Sequence, residues 1–111
     1  MSHADIVFAA ESDVPEILMF IKELAAFEKL EHELVATEDS LKATLFGEKR
    51  FAEVIFAVAG ERRVGFALFF HNYSTFLAKP GLYLEDFFIR ETHRGKGYGK
   101  KVLSYLAKLA I

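Results

Sequence analysis

The stretch between residues 82 and 99 constrains the fold of this chain more than any other. Residues 82–89 read as a strand almost free of polar interruption, broken only by the adjacent pair Glu85-Asp86. Arg94-Gly95-Lys96-Gly97-Tyr98-Gly99 follows, and a helix begins near Gly97 with Val102, Leu103, Leu106 and Ala110 on one face. A buried strand feeding a glycine-rich turn into an amphipathic helix belongs to a sheet covered by helices. Glycine spacing then excludes two familiar phosphate loops. A dinucleotide fingerprint needs G-x-G-x-x-G, but counting from Gly95 and Gly97 the third position is Lys100. A Walker A loop needs a second glycine five residues after the first, and that position is again Lys100. What remains is Arg94-x-x-Gly97-x-Gly99. Glycines at alternate positions let backbone N–H groups converge on a diphosphate, and the helix N-terminus adds its partial positive charge. Arg94, Lys96, Lys100 and Lys101 supply local cations. The alternative is a tight strand-to-helix turn whose glycines answer only backbone geometry.

The rest of the chain completes a β-α-α-β-β-β-α order. Residues 5–9 form a short strand. Ser12 is the candidate N-cap of a helix, with Asp13 in its first turn and Pro15 where a missing N–H costs nothing. Val14, Ile17, Leu18, Ile21, Leu24 and Ala25 fall at helical spacing, so this helix runs to about Leu30. Thr37, followed by Glu38 and Asp39, caps a second helix that ends at Phe46-Gly47. Residues 54–59 and 64–70 form a hairpin about Gly60-Glu61-Arg62-Arg63, and a loop spans 72–81. The fold class is α+β, a mixed sheet with helices inserted before and after antiparallel strands.

Composition bounds the function. A chain of 111 residues is one domain at most, spanning 1–111. Twelve Phe and a 52% hydrophobic content rule out disorder and promise an aromatic core. A net charge of -2 gives no field for bulk nucleic-acid binding, so an anion site must be local. With no cysteine there is neither disulfide nor thiolate nucleophile. Met1-Ser2-His3-Ala4-Asp5 lacks signal-peptide regions and no apolar run suits a membrane helix, so a cytoplasmic protein without a membrane partner is expected. His3, His32, His71 and His93 have no metal-ligand spacing, and no metal is expected. Phe66, Phe69 and Phe70 read as core.

These segments resemble the GCN5-related N-acetyltransferase (GNAT) superfamily, whose signature is [Gln/Arg]-x-x-Gly-x-[Gly/Ala] between its fourth strand and third helix. The closer resemblance is to the spermidine/spermine (diamine) and thialysine branch. It rests on Ile21-Lys22-Glu23-Leu24-Ala25 with Phe27-Glu28, on Tyr83-Leu84-Glu85-Asp86-Phe87-Phe88, and on Arg94-Gly95 opening the glycine loop. The resemblance implies the acyl-coenzyme A N-acyltransferase fold and acetyl-coenzyme A as cosubstrate. It also implies a small-molecule primary amine as acceptor and a homodimer. Backbone groups of Phe87, Phe88 and Ile89 would pair with the pantetheine arm. Arg94, Gly95, Lys96, Gly97, Tyr98, Gly99 and Lys100 would hold the pyrophosphate. Phe27, Glu28 and Glu85 would face the substrate, with Glu85 accepting the amine proton or neutralising a cation. Adjacent strand residues point to opposite faces, so at most one of Glu85 and Asp86 should face the cofactor groove. The amine attacks the thioester directly, so no protein nucleophile is required.

Two departures narrow the expectation. Polyamine-acetylating members carry an acidic residue after the tyrosine before the fourth strand, whereas this chain reads Tyr73-Ser74-Thr75-Phe76, like the thialysine branch. The family fold also continues beyond its third helix into strands that open the cofactor cleft and carry the general acid, expected here beyond Ile111. The chain therefore reads as the N-terminal portion of that domain, inactive alone: a fragment, or a chain completed by another polypeptide or by strand exchange. A non-catalytic coenzyme-binding or assembly module completed by another chain is the alternative.

Overall fold

The computed structural model describes residues 6–110. The stretch 1–5, with His3 and the Asp5 start of the expected first strand, lies outside the described residues, as does Ile111. The elements are β1 (Ile6–Phe8), α1 (Val14–Phe27), α2 (Glu38–Phe46), β2 (Glu53–Ala59), β3 (Arg62–Ser74), β4 (Lys79–Ile89) and α3 (Tyr98–Leu109). The sheet order is β1-β2-β3-β4, which leaves β4 at an edge. A mixed sheet is the sequence expectation, and every described pairing is antiparallel. The pairs β2–β3 and β3–β4 are hairpins, and inserting two helices between β1 and β2 lets the chain re-enter the sheet in the opposite sense.

Two apolar layers sandwich the sheet. On one face α1 and α2 bury Ile17, Phe20, Leu24, Leu41 and Leu45 against Val54, Phe56, Phe66 and Phe88. On the other, Val102 and Leu106 of α3 cover Ile55, Val64, Ala67, Phe69 and Ile89. Of the expected α3 stripe, Leu103 and Ala110 are instead exposed, and Tyr98 and Tyr105 pack in their place. Phe66 and Phe69 are core as expected, whereas Phe70 is only half-buried and stacks on Tyr83 at 5.0 Å.

The strands are longer than their apolar runs. The expected 72–81 loop is mostly ladder, because Asn72 pairs with Gly81, Tyr73 with Pro80 and Ser74 with Lys79. Only residues 75–78 turn, held by the Leu77 N–H donating to Ser74 Oγ at 3.2 Å. Polar side chains suit this part of the hairpin because it projects into solvent, where a strand needs no apolar face. Likewise the β2–β3 turn is Gly60-Glu61 alone, since Arg62 pairs with Ala59.

Helix ends follow local chemistry, with two corrections. Thr37 caps α2 as expected: its side chain accepts from the Ser40 N–H at 3.1 Å, and Ser40 Oγ accepts from the Thr37 N–H at 2.9 Å. At α1 the N-cap position belongs to Asp13 rather than Ser12, which sits in a short 3-10 turn. The Asp13 carboxylate accepts from the Ala10 N–H at 2.7 Å, bracing that turn. α1 also stops at Phe27, short of Leu30. The Leu30 N–H donates to Ala25 O at 2.8 Å and the Lys29 N–H to Ala26 O at 3.1 Å, which is a Schellman turn. Lys29 takes the left-handed position with φ 60°, a place usually held by glycine. Lys29→Gly should therefore raise unfolding free energy by roughly 0.5–1 kcal/mol, read from urea denaturation. A loss of stability would mean that this turn is not strained.

Candidate functional site

The glycine loop departs from ideal helix entry in a way that suits an anion. Gly95 and Gly97 have φ of 79° and 88°, left-handed values that disfavour any side chain. A Cβ built at either would meet nothing within 4 Å, so the backbone there faces open space. Gly99 answers a different demand, since its Cβ would come within 3.3 Å of the Phe87 ring. Gly97 caps α3 without any side-chain hydrogen bond, and no acid lies in the first turn. Instead Lys100 and Lys101 stand where the helix macrodipole disfavours cations. By contrast α1 and α2 carry Glu16, Glu38 and Asp39 in their first turns. The feature that destabilises α3 alone becomes favourable when a phosphate sits at its N-terminus. A recess of about 510 Å³ adjoins the loop between α3 and β1, lined by Ile6, Gly97, Lys100, Lys101, Tyr105 and Lys108 among others, with no residue of β4 in its lining.

β4 delivers the polar residues. Opposite it, Leu68 pairs with Asp86 and Phe69 with Leu84, so Glu85 is the extra residue of a β-bulge. This corrects the expectation that strict alternation separates Glu85 from Asp86: the bulge suspends alternation at that pair. Its imprint is a phase shift, for Leu82 and Leu84 pack toward α3 and then Phe87 and Ile89 do so. Glu85 is exposed. Asp86 is half-buried in a recess of about 200 Å³ walled by Ile21, Leu24, Leu30 and Leu34 and shared with Glu28 and Glu33. Burial, then repulsion from Glu85 and Glu28, raises the Asp86 carboxyl above its ordinary range. Three expected or neighbouring acids thus act on one another, a field that favours a cation.

The expected site residues do not all point one way. Phe27 is exposed rather than core, with its ring edge against Phe88 at 6.0 Å. Arg94 turns from the loop toward that pair, donating from Nε to Ile89 O at 2.7 Å. Phe88 and Ile89 are buried at the end of the edge strand, and Phe87 lies against α3. His93 meets the Tyr98 ring at 5.9 Å beside the loop. Sequence reasoning missed Asp86 as the acid drawn into the recess and missed the destination of the Arg94 side chain. Among the described residues no helix is long and apolar enough to cross a membrane, and no cluster of three metal-ligating side chains occurs.

Comparison with known proteins gives a consistent picture. A family model described as acetyltransferase (GNAT) family matches residues 18–111. Thialysine N-epsilon-acetyltransferase of Mus musculus is 38% identical, over 100% of this chain and 69% of its own length. L-ornithine N5-acetyltransferase of Arabidopsis thaliana is 34% identical, over 96% of this chain and 66% of its own. The chain spans about two thirds of the length of these curated relatives. Among solved structures, an aminoglycoside acetyltransferase from an uncultured soil metagenomic sample superposes with TM-score 0.78 at 20% identity, covering 94% of this chain and 67% of that one. That likeness speaks for the fold.

The raised Asp86 carboxyl has a consequence for stability. Because the folded state holds it above its unfolded value, its contribution is complete below the ordinary carboxylate range and is lost as pH rises through the folded value. Asp86→Asn should raise the melting temperature near pH 7 and give little gain near pH 3. An equal gain at both would exclude the buried charge as its cause.

Proposed function

The chain belongs to the GNAT family of acetyltransferases, and we propose that it serves acetyl transfer from acetyl-coenzyme A to a primary amine of a small molecule, by direct attack in a ternary complex. The observation that carries this is the α3 N-terminus, where two left-handed glycines and a first turn with lysines and no acidic residue suit an anion. Open space above Gly95 and Gly97 fits approach of a diphosphate to backbone N–H groups, and Lys96 and Lys100 add charge. The edge of β4 at Phe87, Phe88 and Ile89, which has no partner strand among the described residues and where Arg94 Nε occupies Ile89 O, suits an extended amide-bearing arm that pairs like an added strand through the remaining backbone groups. When bound, the cosubstrate supplies an activated thioester carbonyl.

The protein residues then manage the amine. Glu28 and Asp86, with Glu85 beside them, draw a cationic amine to the end of α1, and Phe27 lines its approach. The amine must be neutral to attack. Glu85 accepts its proton directly or through water, the C–N bond forms, and the C–S bond breaks. A diamine, polyamine or thialysine-like amino acid suits this acidic wall. The absence of a carboxylate in Tyr73-Ser74-Thr75-Phe76 favours the small amines over the polyamines, as does the likeness to acetyltransferases of thialysine and ornithine.

Coenzyme A should bind the full-length protein, and Gly97→Glu should weaken it more than roughly 100-fold through bulk and like charge in the phosphate nest. Gly97→Ala, which brings the backbone strain without the charge, separates misfolding from repulsion. If coenzyme A shifts neither the melting temperature nor the amide spectrum of the wild type, the reading fails. Glu85→Gln should lower kcat/KM by about 10²–10⁴-fold while coenzyme A still binds. Activity near wild type would remove Glu85 from proton transfer.

A further inference from the structure

Arg94 opens the glycine loop, and its charge invites the role of phosphate ligand. Its side chain is engaged elsewhere. The guanidinium lies 4.6 Å from the centre of the Phe27 ring and 5.1 Å from that of Phe88. The two rings meet edge to face, and Nε of the same guanidinium donates to Ile89 O at 2.7 Å. One planar cation therefore touches the last residue of α1 and the end of β4 while belonging to the loop that follows.

We infer that Arg94 is a positioning residue for the amine subsite, bridging Phe27 to Phe88 and so fixing the end of α1, with Glu28, against the strand that carries Glu85 and Asp86. The inference rests on the acetyl-transfer reading above. Its force comes from what else holds that end of the helix. Apolar anchoring of α1 finishes at Leu24, which is 8% exposed, whereas Phe27 is 62% exposed. Beyond Leu24 the Schellman turn sets the backbone, and the Arg94 contact ties it to the sheet. Glu28 follows Phe27 directly, so a shift of that ring moves the carboxylate relative to Asp86.

The chemistry is specific to arginine. A flat guanidinium stacks on one or more rings and donates along its own plane at the same time. A lysine keeps the charge and can approach a ring, but it cannot reproduce the stacked fork. Charge conservation and positioning are thereby separable, which a phosphate-ligand role would not allow.

The test uses the full-length protein with Arg94→Lys, Phe27→Leu and the double variant. Three quantities are measured: coenzyme A affinity by calorimetry, thialysine affinity of the coenzyme A-loaded protein by NMR titration, and the unfolding midpoint. Each single variant should weaken thialysine by roughly 10-fold while coenzyme A affinity stays within about 3-fold, and the double variant should be no worse than the poorer single. Wild-type thialysine affinity in Arg94→Lys would overturn the inference. So would additive losses in the double variant, or a lowered unfolding midpoint with both affinities intact. If wild-type protein fails to bind coenzyme A, the acetyl-transfer reading falls first and takes the inference with it. If coenzyme A binds and the amine ignores Arg94, only the inference falls.

Discussion

The structure depends on how α1 sits on the sheet. Phe20 lies between Phe56 and Phe66 with ring centroids 5.9 and 5.4 Å away, and all three side chains are fully buried. Two arginines roof this seam. Arg63 lies 4.4 Å over Phe56 and pairs with Asp13 and Glu16, while Arg90 lies 4.3 Å over Phe20 and pairs with Glu23 at 2.7 Å. Burying three phenylalanines is worth about 2–3 kcal/mol each, whereas partly exposed ion pairs contribute about 0–1. The rings therefore supply the stability, and the arginines fix rotation and slide. The same arrangement delivers Phe27 and Glu28 beside β4.

Charge is segregated on this scaffold although the chain is nearly balanced. Cations gather at the start of α3, and acids gather where the end of α1 meets the bulge of β4. Under the acetyl-transfer reading proposed above, a thioester substrate that is anionic at one end and an amine that is cationic need opposite fields a short way apart. A fold with the strand edge, the loop and the helix end adjoining one another can offer both.

Much of this was legible in the sequence because its causes are local. The Thr37 cap, the α1 period and the glycine loop each depend on residues a few positions apart. The bulge was not legible, because Tyr83 and Phe88 are as apolar as Leu84 and Phe87, and the change of phase at Glu85-Asp86 shows only once α3 marks the side that Leu82, Leu84, Phe87 and Ile89 face. The long hairpin was not legible, since Asn72, Ser74, Lys79, Pro80 and Gly81 read as turn residues until a partner strand enforces the ladder. No local signal marks Lys29 as left-handed, because lysine occupies that position against its own preference. The side-chain destination of Arg94 was hidden for another reason: it is set by a ring from α1, sixty-odd residues upstream.

Pro80 gives the edge of β4 a division of labour. An unpaired strand edge is a template for any extended chain, including a second copy of the same protein. Lys79 and Pro80 blunt that template where the strand begins, because proline has no N–H to offer and lysine resists close apposition. Neither proline nor lysine interrupts Phe87, Phe88 and Ile89, where Arg94 Nε engages the Ile89 carbonyl. Among the described residues the edge of β4 thus differs along its length, proline-interrupted where the hairpin projects into solvent and regular where it meets the glycine loop.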